Sequence, residues 1–314
     1  MSGVIESEPF APRYSCTVND IPSQGLRLDR YAAENLKLLT RSQIKTRKLQ
    51  ARLNGREVKI SRLLKGGEKL ELFWEDAQLP DLIPENIPLD IIFENGQVTV
   101  VNKAQGMVVH PGAGNSRGTL ANALYYRWLE QKNFSHLNAE GLRPGIVHRL
   151  DKDTSGIIIT ARDEKTALFL VDQFKNRSVK KTYAAVVKGC PGEGRIDVPI
   201  ARDKYNRKLF CANTGGKPSL TVFKTIKSWG SYSLLLLRLK TGRTHQIRVH
   251  LRYLGYPVLG DPLYGKTDTG FPKQTLMLHA KRLAIKLPDN EMHTFRTVFP
   301  DRFTDLFKIL NLKK

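Results

Sequence analysis

Residues 148–156, HRLDKDTSG, bring together residue types that can do chemistry at the start of an apolar run. In extended backbone, Arg149 and Asp151 point to the same side while Leu150 points the other way, into a core. A guanidinium close to a carboxylate lowers its pKa by about 1 to 3 units and so keeps it ionised. The stretch predicts a carboxylate at the edge of a sheet, suited to act as a nucleophile or electrostatic stabiliser. On these residues alone, a purely structural Arg–Asp pair is an equally good interpretation.

Two further stretches contain candidate site residues. The sequence KTYAAVVKG at 181–189 predicts a strand that bears one aromatic hydroxyl, that of Tyr183. The sequence GRTHQIRVHL at 242–251 begins at a glycine turn and continues with the apolar spacing of a helix. This places Arg243 at a strand-to-helix corner, from which its side chain can reach into a cleft.

The signatures of several other enzyme classes are absent from the sequence. The glycine-rich stretch 112–119 lacks the spacing and the lysine of a phosphate-binding loop, and no His-Glu-x-x-His motif occurs. Residues 148–152 are superficially similar to a kinase catalytic loop, but Leu150 interrupts the His-Arg-Asp order. A glycosidase is poorly supported because Asp153 is too close in sequence to Asp151 to be a second catalytic carboxylate.

The composition indicates a globular chain with an anionic partner. Its 314 residues carry a net charge of +21, with 40% hydrophobic and 26% charged residues. Unpaired cations are too costly to bury, so the excess charge lies on the surface and attracts polyanions. We therefore expect nucleic acid as the partner, with a membrane surface as the alternative. The three scattered cysteines and the lack of an N-terminal apolar segment favour a cytoplasmic protein.

The order of predicted elements indicates an α+β fold with a mixed, largely antiparallel sheet. Short alternating or apolar segments predict strands, and longer segments with helical spacing predict helices. The predicted strands are 91–93, 98–101, 156–160, 182–187, 220–225, 231–239 and 276–279. The predicted helices are 119–130, 164–176, 244–254 and 301–310. No segment approaches the length of about 20 apolar residues that a membrane span needs.

We divide the chain into a flexible tail at 1–20, a small basic domain at 21–76, a proline-rich linker at 77–90 and a large domain at 91–314. The basic domain has 13 Lys or Arg against 5 Asp or Glu within residues 26–74. Residues 40–43, TRSQ, have the form of a capping box, so a helix is expected to begin there. On that helix, four cations would make one basic face for RNA. They are Arg41, Lys45, Lys48 and Arg52.

The basic domain resembles the α-L RNA-binding domain, a small module found in a ribosomal protein and in RNA-modifying enzymes. The similarity rests on RLD at 27–29, TRS at 40–42, LNG at 53–55 and GGEKL at 66–70.

The large domain resembles the RluA family of pseudouridine synthases. The matching motifs are HRLDxxTSG at 148–156, KxY at 181–183 and GRTHQIRVH at 242–250, followed by GDPLYG at 260–265 and LHA at 278–280. The stretches VVHPG at 108–112 and GTL at 118–120 look most like the large-subunit ribosomal RNA branch of RluD-like enzymes. The resemblance implies the pseudouridine synthase fold with a central RNA-binding cleft.

The resemblance also implies an activity: isomerisation of uridine to pseudouridine in RNA, without a cofactor or metal. It implies that Asp151 is the catalytic aspartate, that Arg243 pairs with it, and that Tyr183 packs on the target base and helps to remove the C5 proton. Arg149 is expected to take the space of the flipped-out base. The expected substrate is 23S (large-subunit) rRNA, free or in an assembling particle, and the expected state is a monomer. Two alternatives stay open: a transfer RNA synthase of the same family and a non-catalytic RNA-binding or ribosome-assembly factor.

Overall fold

The computed structural model describes residues 12–19, 21–22, 25–36, 38–39, 44–45, 47–75, 82–112, 114–131 and 145–312. The chain divides into two compact units, Met1–Asp81 and Leu82–Lys314. Within the described ranges, no helix has the length and apolar character needed to cross a membrane.

The described part of the first unit is built on a four-stranded antiparallel sheet and a two-stranded ribbon. Its elements in chain order are β1 (Tyr14–Thr17), β2 (Leu26–Arg27), α1 (Leu28–Arg30, continued by a π-helical turn at Tyr31–Asn35), β3 (Gln50–Leu53), β4 (Arg56–Val58), β5 (Leu63–Leu64) and β6 (Lys69–Phe73). The sheet order is β1-β6-β3-β4, and β2 pairs with β5. Leu70 and Leu72 alternate with polar residues along β6, so one face of the sheet closes the core of this unit.

Two of the expected boundaries are wrong. Residues 14–17, expected in the flexible tail, form the strand β1. This strand pairs with β6 and lies at the edge of the sheet. Residues 82–90 belong to the second unit rather than to a free linker. Glu85 accepts from the Gly118 N–H at 3.1 Å, and the Ile83 carbonyl accepts from Asn122 at 2.8 Å. Proline prevents helix in this segment without preventing it from packing.

The second unit contains the remaining described elements. The strands are β7 (Ile91–Glu94), β8 (Val98–Lys103), β9 (Ser155–Ala161), β10 (Lys180–Lys188), β11 (Glu193–Asp197), β12 (Ile200–Arg202), β13 (Phe210–Ala212), β14 (Leu220–Ser228), β15 (Tyr232–Leu239), β16 (Leu278–Lys286) and β17 (Met292–Arg296). The helices are α2 (Leu120–Glu130), α3 (Glu164–Lys175), α4 (Gln246–Tyr253) and α5 (Asp301–Leu312).

A nine-stranded, mostly antiparallel sheet organises the described part of this unit. Its order is β11-β14-β15-β10-β16-β9-β8-β7, with β17 also paired to β16. The expected α+β fold with a mixed, largely antiparallel sheet is confirmed. Each predicted strand and helix has a counterpart, although β16 runs from Leu278 to Lys286 rather than over 276–279. Four strands were not predicted: β12 and β13 have three residues each, and β11 and β17 are mostly polar.

Strand β9 is buried along its whole length because it has helices on both faces. Ile157 and Ile159 share a core cluster with Leu170 of α3. Ile158 belongs to a different cluster, with Leu124 and Trp128 of α2. Successive side chains of a strand point to opposite faces, so an uninterrupted apolar run is what such a strand requires.

The sheet divides at β16, and this division positions the loop that precedes β9. The first residues of β16 pair in parallel with Ser155 and Gly156, whereas β17 pairs with β16 from Arg282 onward. Gly156 has φ of +113°, and a Cβ on it would lie 2.4 Å from the Ala280 carbonyl oxygen. Only glycine allows β9 to approach β16 so closely. The loop at 147–154 therefore enters the sheet at a fixed place.

Candidate active site

The loop that carries Asp151 is held to the end of β8 by buried hydrogen bonds. The Lys103 ammonium donates to the carbonyls of Ala104 at 2.7 Å, Met107 at 2.8 Å and Lys152 at 3.1 Å. Gln105 donates to the Asp153 carbonyl at 3.0 Å. Burial lowers the pKa of Lys103 to about 7, against the charges of Asp153 and Asp151. These bonds fix the backbone at Lys152 and Asp153, directly after the aspartate, and hence the position of Asp151.

The four residues proposed from the sequence for this domain line one cleft of about 410 Å³. Asp151 and Arg149 come from the loop before β9, Tyr183 from β10, and Arg243 from the turn before α4. Leu150 is buried and Arg149 exposed, as the alternation argument predicts. The sequence motifs are far apart in the chain, and the sheet brings their side chains together around one cleft.

The ion pair expected between Arg243 and Asp151 is wrong. The Arg243 side chain donates to the Pro218 carbonyl at 3.2 Å, and its backbone N–H donates to Gln246 at 3.0 Å. The guanidinium next to Asp151 is that of Arg248, with Nη1 3.6 Å from Oδ2. Because α4 begins only at Gln246, its first turn presents Arg248 to the loop and leaves Arg243 outside the helix.

Arg248 is a buried bridge between two carboxylates. It donates through Nε and Nη2 to the two oxygens of Asp261, at 2.7 Å each. Asp261 also accepts from the backbone of Leu263 and Tyr264, so it is fully used. Burial works against the charge of Arg248, yet the bond to Asp261 and the charges of both carboxylates keep its pKa above the usual value. The cation facing Asp151 is thus permanent and fixed in place.

His245 is the second group that faces Asp151. It is a non-glycine residue in the left-handed region, with φ of +56°, directly before α4. Such residues persist only where the surroundings hold them, and they occur often at functional sites. Its Nε2 lies 3.9 Å from Asp151 Oδ2, and its Nδ1 lies 2.8 Å from the Tyr264 hydroxyl.

The hydrogen bonds around Tyr264 determine which nitrogen of His245 carries the proton. The Phe210 N–H donates to the Tyr264 oxygen at 2.9 Å, so that hydroxyl is free to donate to His245 Nδ1. The remaining proton of a neutral imidazole is then on Nε2 and faces Asp151. Burial lowers the pKa of His245, against the charge of Asp151, which agrees with the neutral form.

Tyr183 presents its ring to the cleft as a neutral phenol. Its side chain is 8% exposed. Burial, and then the charge of Asp151, raise the pKa of its hydroxyl well above the usual value. No hydrogen bond to that hydroxyl occurs among the described residues. The ring is therefore an apolar surface with one unused polar atom beside the carboxylate.

His148 and His250 are structural residues. His148 Nε2 accepts from the Ile159 N–H at 3.0 Å, and the ring stacks on Phe174. Burial, together with the charge of Lys181, lowers its pKa to about 3. His250 is fully buried, donates to the Val198 carbonyl at 3.0 Å and lies 2.9 Å from the Thr221 hydroxyl.

In the first unit, the expectation of one helical basic face is wrong. The Leu49 N–H donates to the Ile44 carbonyl at 3.0 Å, and Lys48 has φ of +49°, the pattern that ends a helix. Lys48 therefore lies in a turn, where it pairs with Glu75 at 2.7 Å. Arg52 lies in β3, with its guanidinium 5.0 Å from the centre of the Phe73 ring.

Lys45 is the described member of that set which keeps a helical position, and its side chain is exposed. Arg41, and the capping box at 40–43, lie outside the described residues.

The chemistry available in the cleft follows from these contacts. A carboxylate is held beside a buried arginine and a neutral histidine, and an aromatic ring lies next to it. A fixed ion pair needs no reorganisation when charge develops on a substrate. A flat ring can hold a planar base, and an exposed arginine at the rim can meet phosphates or stack on bases. The cleft therefore fits a polymer with planar bases and an anionic backbone, and the Asp151 carboxylate can act on such a base.

Comparison with known proteins identifies the family. The family model described as RNA pseudouridylate synthase matches residues 97–253. A protein of Borreliella burgdorferi named ribosomal large subunit pseudouridine synthase D is 45% identical over 90% of this chain and 89% of its own. The protein of that name from Haemophilus influenzae is 36% identical over 95% of this chain and 96% of its own.

Solved structures agree with these sequence relatives. Human RNA pseudouridylate synthase domain containing 4 has a TM-score of 0.56 and 25% identity, over 71% of this chain and 93% of its own. Human RNA pseudouridylate synthase domain containing 1 has a TM-score of 0.55 and 28% identity, over 72% and 96%. The fold, the cleft and the relatives agree, and the chain belongs to the RNA pseudouridylate synthase family of isomerases.

Proposed function

We propose that this protein isomerises specific uridines of large-subunit (23S) ribosomal RNA to pseudouridine, with Asp151 as the catalytic nucleophile. The observation that carries the proposal is the Asp151 carboxylate, fixed 3.6 Å from the buried Arg248 guanidinium in a cleft that also contains Tyr183. The choice of RNA is supported by the relatives that are named as large-subunit synthases.

The reaction exchanges one bond of the uracil for another without loss or gain of atoms overall. The bond from C1′ of the ribose to N1 breaks, the uracil turns, and C5 bonds to C1′ while its proton leaves and N1 gains one. Asp151 is the group that attacks, and the bond that it forms breaks again when C5 joins C1′. Arg248 balances the charge of the carboxylate before the attack and again after its release. His245 supplies a second donor toward the same carboxylate.

The target base has to leave the RNA stack before Asp151 can reach it. Flipping costs a few kcal/mol, least where the base is unpaired or weakly paired. Arg149 is exposed at the rim of the cleft, where it can occupy the space that the base leaves and contact phosphate. The Tyr183 ring then packs against the flipped base. Because the phenol is neutral, its oxygen can accept the C5 proton only if the hydroxyl gives up its own proton to another acceptor at the same time.

The first unit is proposed to be an α-L RNA-binding domain that adds affinity for the substrate. Its basic composition and its exposed Lys45 support this role. The protein is proposed to act in the cytoplasm as a monomer. A transfer RNA substrate is the second candidate, because the same catalytic residues would serve it.

The test is to map pseudouridines in ribosomal and transfer RNA from cells that express the wild type or Asp151→Asn. Carbodiimide modification followed by reverse transcription locates each site. We expect one or more large-subunit signals to disappear with Asp151→Asn while RNA binding is retained, because the variant keeps the size of the side chain. Loss of a transfer RNA signal instead would change the substrate. If the pseudouridine maps of both RNAs are unchanged while RNA binding is retained, the protein is a non-catalytic RNA-binding factor.

A further inference from the structure

The face of the sheet that points away from the catalytic cleft carries a transverse row of arginines. Tyr183 points into the cleft, so its neighbour Thr182 points to the other face. The strand registers continue from Thr182 to Arg238 on one side and to Arg282 on the other, then outward to both edges. Across six strands, the row reads Arg195, Val222, Arg238, Thr182, Arg282 and Arg296.

The row lines an open groove of about 990 Å³, and all six residues contribute to it. The apolar floor includes Val222, Leu236 and Phe299. Lys281 lies over the Phe299 ring, 4.3 Å from its centre, and adds a further cation. Among the described residues that line the groove, Glu193 is the one acid, and it is paired with Lys224 at 2.9 Å.

The side chains of three of these arginines have no acidic or hydrogen-bonding partner, in the part of the protein that the structure describes, to account for their positions. Arg238, Arg282 and Arg296 are exposed, and their side chains make no hydrogen bond or ion pair with any described residue. Arg282 and Arg296 are directly opposite each other on β16 and β17. Like charges at such positions repel and destabilise the pairing of the strands. An anion that lies between them would turn this repulsion into binding energy.

We propose that this arginine row, defined as Arg195, Arg238, Arg282 and Arg296, is a second RNA-binding surface that grips the phosphate backbone of a long substrate outside the cleft. The proposal rests on the proposed function, since it assigns to the same RNA a contact beyond the target uridine. Adjacent strands are about 4.8 Å apart, so the row extends over about 24 Å. Several phosphates of one RNA strand can be contacted over that length.

The composition of the row favours RNA over an acidic protein. A guanidinium binds phosphate through two parallel hydrogen bonds, which makes arginine the preferred residue for that contact. Bases that follow the backbone can pack on the apolar floor and on Phe299, as bases pack on the sheet face of other RNA-binding modules. The charge is also consistent with the net +21 of the chain.

The experiment compares two triple variants of the full-length protein that lose the same charge. One replaces the unpartnered row residues, with Arg238→Gln, Arg282→Gln and Arg296→Gln. The control replaces three exposed lysines that line neither groove nor cleft, with Lys165→Gln, Lys273→Gln and Lys286→Gln. Each protein is titrated over a range of salt concentrations with a long large-subunit rRNA transcript and with a short hairpin that fills only the cleft.

We expect the row variant to bind the long transcript at least about 10-fold more weakly than the control at low salt. The slope of log K against log salt should fall by about 2 to 3, because each lost phosphate contact contributes about 0.7 to 0.9. Binding and turnover of the short hairpin should be unchanged. Equal losses in both triple variants would overturn the proposal, because only general charge would then matter. Unchanged affinity for the long transcript, with loss of binding to an acidic protein, would overturn it too.

A second measurement uses the wild type and so does not depend on the folding of a variant. Ultraviolet crosslinking to the long transcript, followed by mass spectrometry, should give adducts on the peptide that contains Phe299. Adducts confined to the cleft and the first unit would contradict the proposal. If large-subunit rRNA is not the substrate, no pseudouridine forms in the transcript. The difference between row and control variants would still remain, because backbone contacts do not depend on sequence.

Discussion

The residues that surround Asp151 divide into those that a motif can reveal and those that only the fold can assign. Asp151, Tyr183 and Arg149 line the cleft as the sequence motifs suggested. The motif at 242–250 contains two arginines, and spacing alone does not tell which of them faces the carboxylate. The left-handed residue before α4 sets the start of the helix, and that start decides in favour of Arg248. A local sequence pattern does not show this backbone conformation.

The first prediction concerns the fork of Arg248, the two parallel hydrogen bonds that its guanidinium donates to Asp261 while it faces Asp151. Arg248→Lys keeps the charge but cannot bond both Asp261 oxygens and approach Asp151 at the same time. We expect kcat to fall by about 100-fold or more, in the range seen when a preorganised charge partner is lost, with little change in KM. Steady-state kinetics over a range of RNA concentrations would measure both constants.

Arg248→Met is the comparison that separates chemistry from folding. It leaves Asp261 buried without its partner, and removal of one member of a buried pair costs about 3 to 5 kcal/mol. We therefore expect Arg248→Met to be strongly destabilised and Arg248→Lys to be much less so. A lysine variant as active as the wild type would show that the fork does not matter for catalysis.

At the scale of elements, the sequence indicates the regular segments well and the irregular ones poorly. The strands β8, β9, β10 and β15 and all four helices of the second unit follow from apolar periodicity. The helix end at Lys48 does not, because a cationic residue in the left-handed region carries no turn signal. The arginine row cannot be recognised in the sequence either, since its four members are scattered between residues 195 and 296 and only the strand registers bring them into line.

The second prediction concerns the close approach of β9 and β16. Gly156→Ala would place a methyl group 2.4 Å from the Ala280 oxygen, and backbone cannot yield as a flexible side chain can. A left-handed φ adds strain for any other residue. We expect the second unit to lose about 2 kcal/mol or more of stability, and activity to fall because the Asp151 loop shifts.

Gly96→Ala is the matched control for this substitution. Gly96 lies in the turn between β7 and β8, and a Cβ there meets no atom within 4 Å. Gly96 does not have a positive φ. Urea unfolding of both variants measures the difference, and equal stabilities would show that β9 can move away from β16 without cost.

At the scale of the whole molecule, the two faces of one sheet serve two purposes. The strands β10 and β15 present Tyr183 and Leu239 to the cleft and Thr182 and Arg238 to the opposite groove. Such a sheet requires a stable centre, and that centre is β16, where the β9 and β17 branches meet. The stability of the second unit therefore depends in part on the buried polar residues around this centre, which are Ser155, His279 and Thr297.

His279 of β16 is one of these, and its hydrogen bonds require the neutral ring. Arg302 donates to the Ser155 oxygen at 2.6 Å, which leaves that hydroxyl to donate to His279 Nδ1 at 2.8 Å. The proton of the ring is then on Nε2, directed to the Thr297 oxygen at 2.7 Å. A second ring proton would meet a hydroxyl that already donates. Burial, then the charges of Arg302 and Lys281, lower the pKa of His279 to about 4.

The third prediction is that the second unit loses stability as the pH falls below 6.5. Histidine has a pKa near 6.5 when unfolded, so between pH 6.5 and 4 the unfolded chain binds a proton at His279 that the folded chain refuses. Proton binding by the unfolded state alone favours unfolding, and the loss at pH 5 is about 1 to 2 kcal/mol from this residue. His148 acts in the same direction, because its pKa is lowered to about 3.

Urea unfolding at pH 7.5 and pH 5 tests this in a Trp74→Phe background, where the tryptophan fluorescence comes from Trp128 and Trp229 of the second unit. Glu94 does not interfere, because its pKa falls from 4.5 to about 2 and both conditions lie above that range. His279→Gln keeps one donor and one acceptor but cannot titrate. We expect this variant to be less stable at pH 7.5 and to show a pH difference smaller by about 1 to 2 kcal/mol. An undiminished pH difference in the variant would mean that the acid sensitivity arises at other groups.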